Sequence, residues 1–204
     1  MDLRRTLLLF SFIFTGSLAI AQPKDRWTIQ DGGAIRWSIN DNIPHDDHLE
    51  MSGQQLSVVL RYGVDAQKRF HLNRSLVFPM LRMHPNKTQN NLKQRFDVNI
   101  PALVTVDDQT LLNEEVRDVT FNGIMRVESS FGYIYRRKEL KDAVQLTRVL
   151  YPSTNAAHYC EEYTFKNSSP NQITLRVPEW NVTYTTPEEA GVYGAYCIEA
   201  ALSK

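Results

Sequence analysis

The chain is poor in the features that most directly announce a function. Only two of its 204 residues are cysteine, too few for a disulfide framework or a Cys-rich zinc site. Neither sign of charge is in surplus, because 23 basic residues balance 23 acidic ones. A protein that neutralises phosphates carries a basic excess, so this balance argues against nucleic acid as a partner and against an electrostatic membrane patch. No apolar run after residue 21 approaches the ~20 residues that a spanning helix needs. There is no GxSxG elbow, phosphate-binding glycine loop or CxxC metal spacing, and no cofactor is expected. Sustained helical periodicity is also missing beyond about two turns.

What is present begins with an address. Arg4 and Arg5 precede the apolar stretch Thr6 to Ile20, and Ala19-Ile20-Ala21 supplies a small-x-small cleavage site. The spacing predicts a signal peptide over residues 1–21, with cleavage before Gln22 and export to the periplasm or the extracellular space. Gln22 is not cysteine, so lipid anchoring through an N-terminal cysteine is not indicated. Loss of Arg4, Arg5 and Asp2 with the leader shifts the net charge by a single unit.

Residues 22–204 read as one strand-rich domain, long enough to bury a sizeable core. Short runs of β-branched and aromatic residues recur between Gly, Pro, Asn and Asp punctuation. Strands are expected at Ala34 to Ile39, Ser52 to Val64, Phe70 to Leu81, Leu92 to Ile100, Val116 to Phe121, Met125 to Tyr135, Val144 to Tyr151, His158 to Lys166, Ile173 to Val177 and Tyr193 to Leu202. Asn122-Gly123 predicts a tight hairpin turn, since both residues tolerate positive φ. Arg136-Arg137-Lys138 reads as a solvated hairpin tip. Lys138 to Ala143 and Thr186 to Ala190 are expected to form single helical turns. About ten short strands with hairpin spacing predict an all-β, antiparallel two-sheet β-sandwich, with a barrel as the competing architecture. The final run stops close to Lys204, which suggests that the sequence is cut from something longer.

Alternation places Cys160 and Cys197 on the more polar faces of their strands. A disulfide between them and a pair of unpaired thiols are both open readings, because sequence does not set the distance a bridge requires. The densest polar cluster is His45 to Gly53. Its His45, Asp46, Asp47, His48 and Glu50 could offer metal ligands, but His45 and His48 fall on opposite faces of a strand, and no metal site is expected. The same carboxylates lack the opposed partner that glycoside hydrolysis requires. Trp37 alternates with Ile35 and Ile39 as a core residue would, whereas Trp27 and Trp180 lie beside turns and are candidates for stacking on sugar rings. Asn73, Asn86, Asn167 and Asn181 each open an N-x-Ser/Thr sequon, which matters only in a eukaryotic secretory pathway.

The stretch HDDHLEMSGQQLSVVLRYGVD (residues 45–65) resembles the N-terminal β-sandwich region of bacterial, chiefly Bacteroidetes-type, six-hairpin glycoside hydrolases of the glycogen-debranching-like or α-L-rhamnosidase-like kind. The resemblance continues through LNRSLVFPMLRMHPN (72–86), LTRVLYPST (146–154) and YCEEYTFKN (159–167). It implies a supersandwich-like domain packed against a downstream (α/α)₆ catalytic barrel that this sequence does not contain. In such enzymes the catalytic carboxylates belong to the barrel, so no catalytic residue carries over. What the resemblance offers is a role for His45, Asp47, His48 and Glu50 at the barrel interface or the rim of its cleft. The function expected is that of a non-catalytic accessory domain of a secreted carbohydrate-active enzyme. The alternative is a free-standing carbohydrate-binding or adhesion module.

Overall fold

The structure is a computed structural model that describes residues 26–203. The expected leader and its cleavage site lie outside the described residues. In chain order, β1 (Thr28–Ile29) and β2 (Ile35–Ser38) precede a meander of β3 (His45–Ser52), β4 (Ser57–Val64), β5 (Phe70–Arg82) and β6 (Asn91–Phe96). A single turn of helix, α1 (Ile100–Leu103), leads into the short β7 (Thr105–Val106) and β8 (Gln109–Thr110). The long strands β9 (Leu112–Phe121), β10 (Met125–Tyr135), β11 (Lys138–Pro152) and β12 (Tyr159–Asn167) follow. The chain then makes β13 (Leu175–Arg176), β14 (Asn181–Thr185), a 3₁₀ turn at Glu188–Ala190 and β15 (Cys197–Ala201).

Two antiparallel sheets dominate. One has the order β1-β2-β9-β10-β11-β12 and the other β3-β4-β5-β6, so the all-β sandwich is the architecture and no barrel closes. Alternation explains the layering. Leu56 in the turn before β4, with Val58, Leu60 and Tyr62 of the smaller sheet, is buried, as are Val119, Met125, Val127 and Leu150 of the larger, and all join one core cluster. Tyr62 meets Phe121 across the gap with ring centroids 5.7 Å apart. A second cluster, around Phe131, Tyr133, Val144 and Leu146, lies farther along the large sheet and takes in Val106 of β7. The β14–β15 hairpin closes one side of the sandwich, where Tyr184 packs edge-on against Phe96 at 5.1 Å.

Several local expectations change. The run Ser52 to Val64 is not one strand: β3 ends at Ser52 and β4 begins at Ser57, with the turn at Gly53 donating its backbone N–H to the Leu56 carbonyl at 2.8 Å. Glycine is required there because a Cβ would strike the Ser153 carbonyl oxygen. The polar segment His45 to Ser52, outside the expected strands, is a full strand paired residue by residue with β4. Its alternation is masked in the sequence because two inward positions, His45 and Asp47, are polar. Lys138 to Ala143 is strand rather than helix. Arg136 and Arg137 both adopt positive φ (48° and 67°), and this two-residue turn pairs Tyr135 directly with Lys138, the geometry that matches strand twist. β14 was not expected at all. A hairpin does form at Asn122-Gly123, but its loop also takes in Ile124, since Phe121 lies opposite Met125, and of the dipeptide only Gly123 adopts positive φ (94°).

Candidate functional site

The residues singled out around His45 do not converge. His45 points inward and sets its ring edge-on to Trp37 at 5.0 Å. Its Nε2 lies 3.7 Å from Asp47 Oδ2 and is buried without a hydrogen-bond partner among the described residues. Asp47 accepts a 2.7 Å hydrogen bond from the His48 backbone N–H, and with burial, the larger cause, it holds the Tyr62 hydroxyl well above its ordinary pKa. His48 and Glu50 point outward and are exposed. Among the described residues no three His, Cys, Asp or Glu side chains cluster as metal ligands would.

Asp46 has a partner that sequence reading did not supply. Its Oδ1 lies 2.5 Å from His71 Nε2. Asp46, Gly63 and His71 sit opposite one another on β3, β4 and β5. The two side chains meet over Gly63 because a Cβ there would occupy the space they use. Both are exposed, so the pair adds little to stability.

The inner faces hold two buried ion pairs. Arg74 of β5 reaches across the sandwich to Glu161 of β12. Its Nε donates to Oε1 and its Nη2 to Oε2 at 2.8 Å, and the side chains are 6% and 13% exposed. Nη1 donates to the Val98 carbonyl at 3.0 Å, Nη2 also reaches Tyr163 Oη at 3.1 Å, and Tyr163 donates its hydroxyl proton to Glu161. Burial alone would lower the Arg74 pKa, but the charge and hydrogen bonds of Glu161 outweigh it and leave the guanidinium above its ordinary value. In the large sheet, Arg148 of β11 lies 2.6 Å from Glu114 of β9 and donates to Ser129 Oγ on the strand between them at 3.0 Å. The Phe70 ring caps that guanidinium from the other sheet at 5.2 Å. Each of these charges occupies a position where alternation calls for an apolar residue. Arg74 follows Phe70 and Leu72 and precedes Leu76 and Phe78, and Glu161 falls between Tyr159 and Tyr163. That mismatch was the signal available to find them.

The Arg74–Glu161 pair opens onto a cavity of about 350 Å³ bounded by β5, β6, β12 and the C-terminal hairpin. Trp180 lines it, half-buried. Trp27 does not present a free platform. It packs on Trp37 and Phe121 at 5.6 and 5.4 Å as part of the core surround. Cys160, half-buried on β12, and Cys197, exposed on β15, are both free thiols.

A separate groove of about 580 Å³ runs across one end of the sandwich, lined by Leu49, Met51, Phe121, Ile124 and Pro152, with Glu50 among its polar residues. Ile35 pairs with Phe121, and Ile29 with Ile35, so the apolar row continues across β2 and β1. Ile29 is 82% exposed and Ile35 43% exposed.

No family model, curated protein or solved structure matches the chain.

Proposed function

We propose that this chain is a non-catalytic accessory domain of an exported carbohydrate-active enzyme, supporting a helical catalytic barrel carried by a longer polypeptide. The observation behind this reading is the uncovered apolar end of the sandwich. The groove at Phe121 and Ile124, extended by Ile35 and Ile29, leaves large aliphatic side chains facing water on the inner side of a sheet. A contiguous patch of this kind marks a surface that another domain covers. Glu50 borders the groove from the outer face of the small sheet, which it shares with Asp46 and His48. The buried carboxylates point away from catalysis by the sandwich itself. Glu161 and Glu114 are each tied to an arginine, which suits bracing better than proton transfer.

The test is the size of the native protein, detected in fractions of the source cells with an antibody raised against residues 26–203. A species several-fold larger than the 23.5 kDa chain is the expected result. A species at the size of the leader-less chain overturns the reading. The second reading, a free-standing carbohydrate-binding or adhesion module, draws on Trp180 beside hydrogen-bonding groups. It predicts glycan-array binding that Trp180→Ala abolishes.

A further inference from the structure

The cavity beside the Arg74–Glu161 pair has the form of a slot between two strands. Ala157 to Glu161 and Ile198 to Leu202 line it without a gap in either run, so it follows the edges of β12 and β15 rather than one face of each. Its floor is the inner face of the small sheet, at Leu76, Phe78 and Phe96. β12 is the last strand of the large sheet, β15 bonds to β14, and the two do not pair with each other. Register identifies the backbone groups that face the slot. Ser153 donates to the His158 carbonyl and Ser168 to the Ala143 carbonyl, so the even-numbered residues of β12 turn their N–H and C=O groups toward β11. Leu202 donates to the Trp180 carbonyl and Thr186 to the Tyr196 carbonyl, which commits the even residues of β15 to β14 in the same way. The odd residues Tyr159, Glu161, Glu199 and Ala201 therefore aim their N–H and C=O groups at the free edges, and all four line the slot. These groups have no backbone partner among the described residues. An unpaired strand edge is a template for another strand, and an extended peptide is the ligand that bonds two facing edges at once.

Side chains that an added strand turned inward would meet the apolar floor. Those turned outward would lie between Glu162 of β12 and Glu199 of β15, both exposed on the outer face. Two flanking carboxylates call for a basic residue there, so the slot matches an alternation of apolar and basic positions. We propose that the slot binds an extended segment of a partner protein, in which apolar residues alternate with lysine or arginine, as a strand added between β12 and β15. The addition joins the large sheet to the C-terminal hairpin and gives both free edges their missing partners.

Titration of the purified chain with acetyl-Lys-Val-Lys-Val-Lys-amide, followed by calorimetry and by amide hydrogen exchange, tests this. Binding should be saturable and should slow exchange at Tyr159, Glu161, Glu199 and Ala201, leaving Cys160 and Glu162, already bonded to β11, unchanged. N-methylation of both valine nitrogens should weaken binding roughly thirtyfold, the worth of two neutral hydrogen bonds. The glutamate counterpart of the peptide should bind roughly fivefold more weakly, and Glu199→Lys should reverse that order. Ala201→Pro removes an N–H that β14 does not use and should abolish binding while the circular dichroism spectrum is retained. If Ala201→Pro does not fold, the N-methylated peptide on the unaltered chain decides the matter. Absence of saturable binding, or binding that protects none of the four amides, overturns the proposal. Equal binding of the lysine and glutamate peptides overturns the partner chemistry. Dimers of the chain that protect the same amides without peptide assign the slot to a second copy, and a longer native species that cannot take up the peptide assigns it to that polypeptide's own segment; either overturns the partner protein. Because the native mass does not depend on this slot, the two proposals fail separately.

Discussion

Replacing Glu161 by alanine would leave the Arg74 guanidinium only 6% exposed with its principal counter-charge gone. The remaining contacts, the Val98 carbonyl at 3.0 Å and Tyr163 Oη at 3.1 Å, supply dipoles but no negative charge. Breaking a buried pair from one side costs about 3–5 kcal/mol, because the surviving charge stays desolvated and unpaired. In a domain of this size each kcal/mol moves the melting temperature by about 2–4 °C, so E161A should melt roughly 10 °C below the unaltered chain. The pair itself is not expected to be worth that much. In the double variant R74M/E161L no charge remains to be stranded, and the loss should fall to about 1–3 kcal/mol, set mainly by the unpaired Tyr163 hydroxyl and Val98 carbonyl. Urea denaturation at neutral pH, followed by circular dichroism and by tryptophan fluorescence, measures both. An E161A cost below about 1 kcal/mol, or a double variant as unstable as the single one, would refute the claim that the cross-sheet pair is buried and mutually dependent.

Three further outcomes follow from the geometry. Burial pushes the Asp118 carboxyl up, but hydrogen bonds from Arg36 and Ser38 at 2.7 and 2.6 Å outweigh it and hold the group below its ordinary pKa. Its stabilisation is therefore present above the unfolded carboxylate pKa and lost as pH falls through the folded value; acid titration of Asp118→Asn should show a shallower decline than that of the unaltered chain. Gly53→Ala places a Cβ against the Ser153 backbone carbonyl, and overpacking of this kind should cost about 1–3 kcal/mol in urea denaturation. Ellman titration of the folded, unreduced protein should count two thiols, with the exposed Cys197 reacting faster than the half-buried Cys160.

Much of the sandwich was legible in the chain. The strand β10 runs from Met125 to Tyr135 as alternation predicted, and the hairpin tips at Asn122-Gly123 and Arg136-Arg137 form where residues able to take positive φ occur. These features are local: a period of two, and a turn set by two or three residues. The errors are local as well. His45 and Asp47 disguised the inward face of β3, and the Lys138 to Ala143 segment lost its helical reading once the β10–β11 turn imposed its register.

The candidate site was far less legible. Arg74 and Glu161 are 87 residues apart, and Arg148 and Glu114 are on strands separated by β10. A charge at an apolar parity can be noticed in a single strand, but its partner cannot be named until the sheets are stacked. Asp46 and His71 likewise meet only because β4 lies between them and carries Gly63 at the crossing. Composition and alternation by themselves determined an all-β, antiparallel domain, because burial of every second side chain is written along each strand. Which charges are buried together, which aromatic rings are spent in the core, and where Tyr159 faces a cavity were decided by the tertiary structure. Those properties depend on distances between segments that the order of residues does not contain.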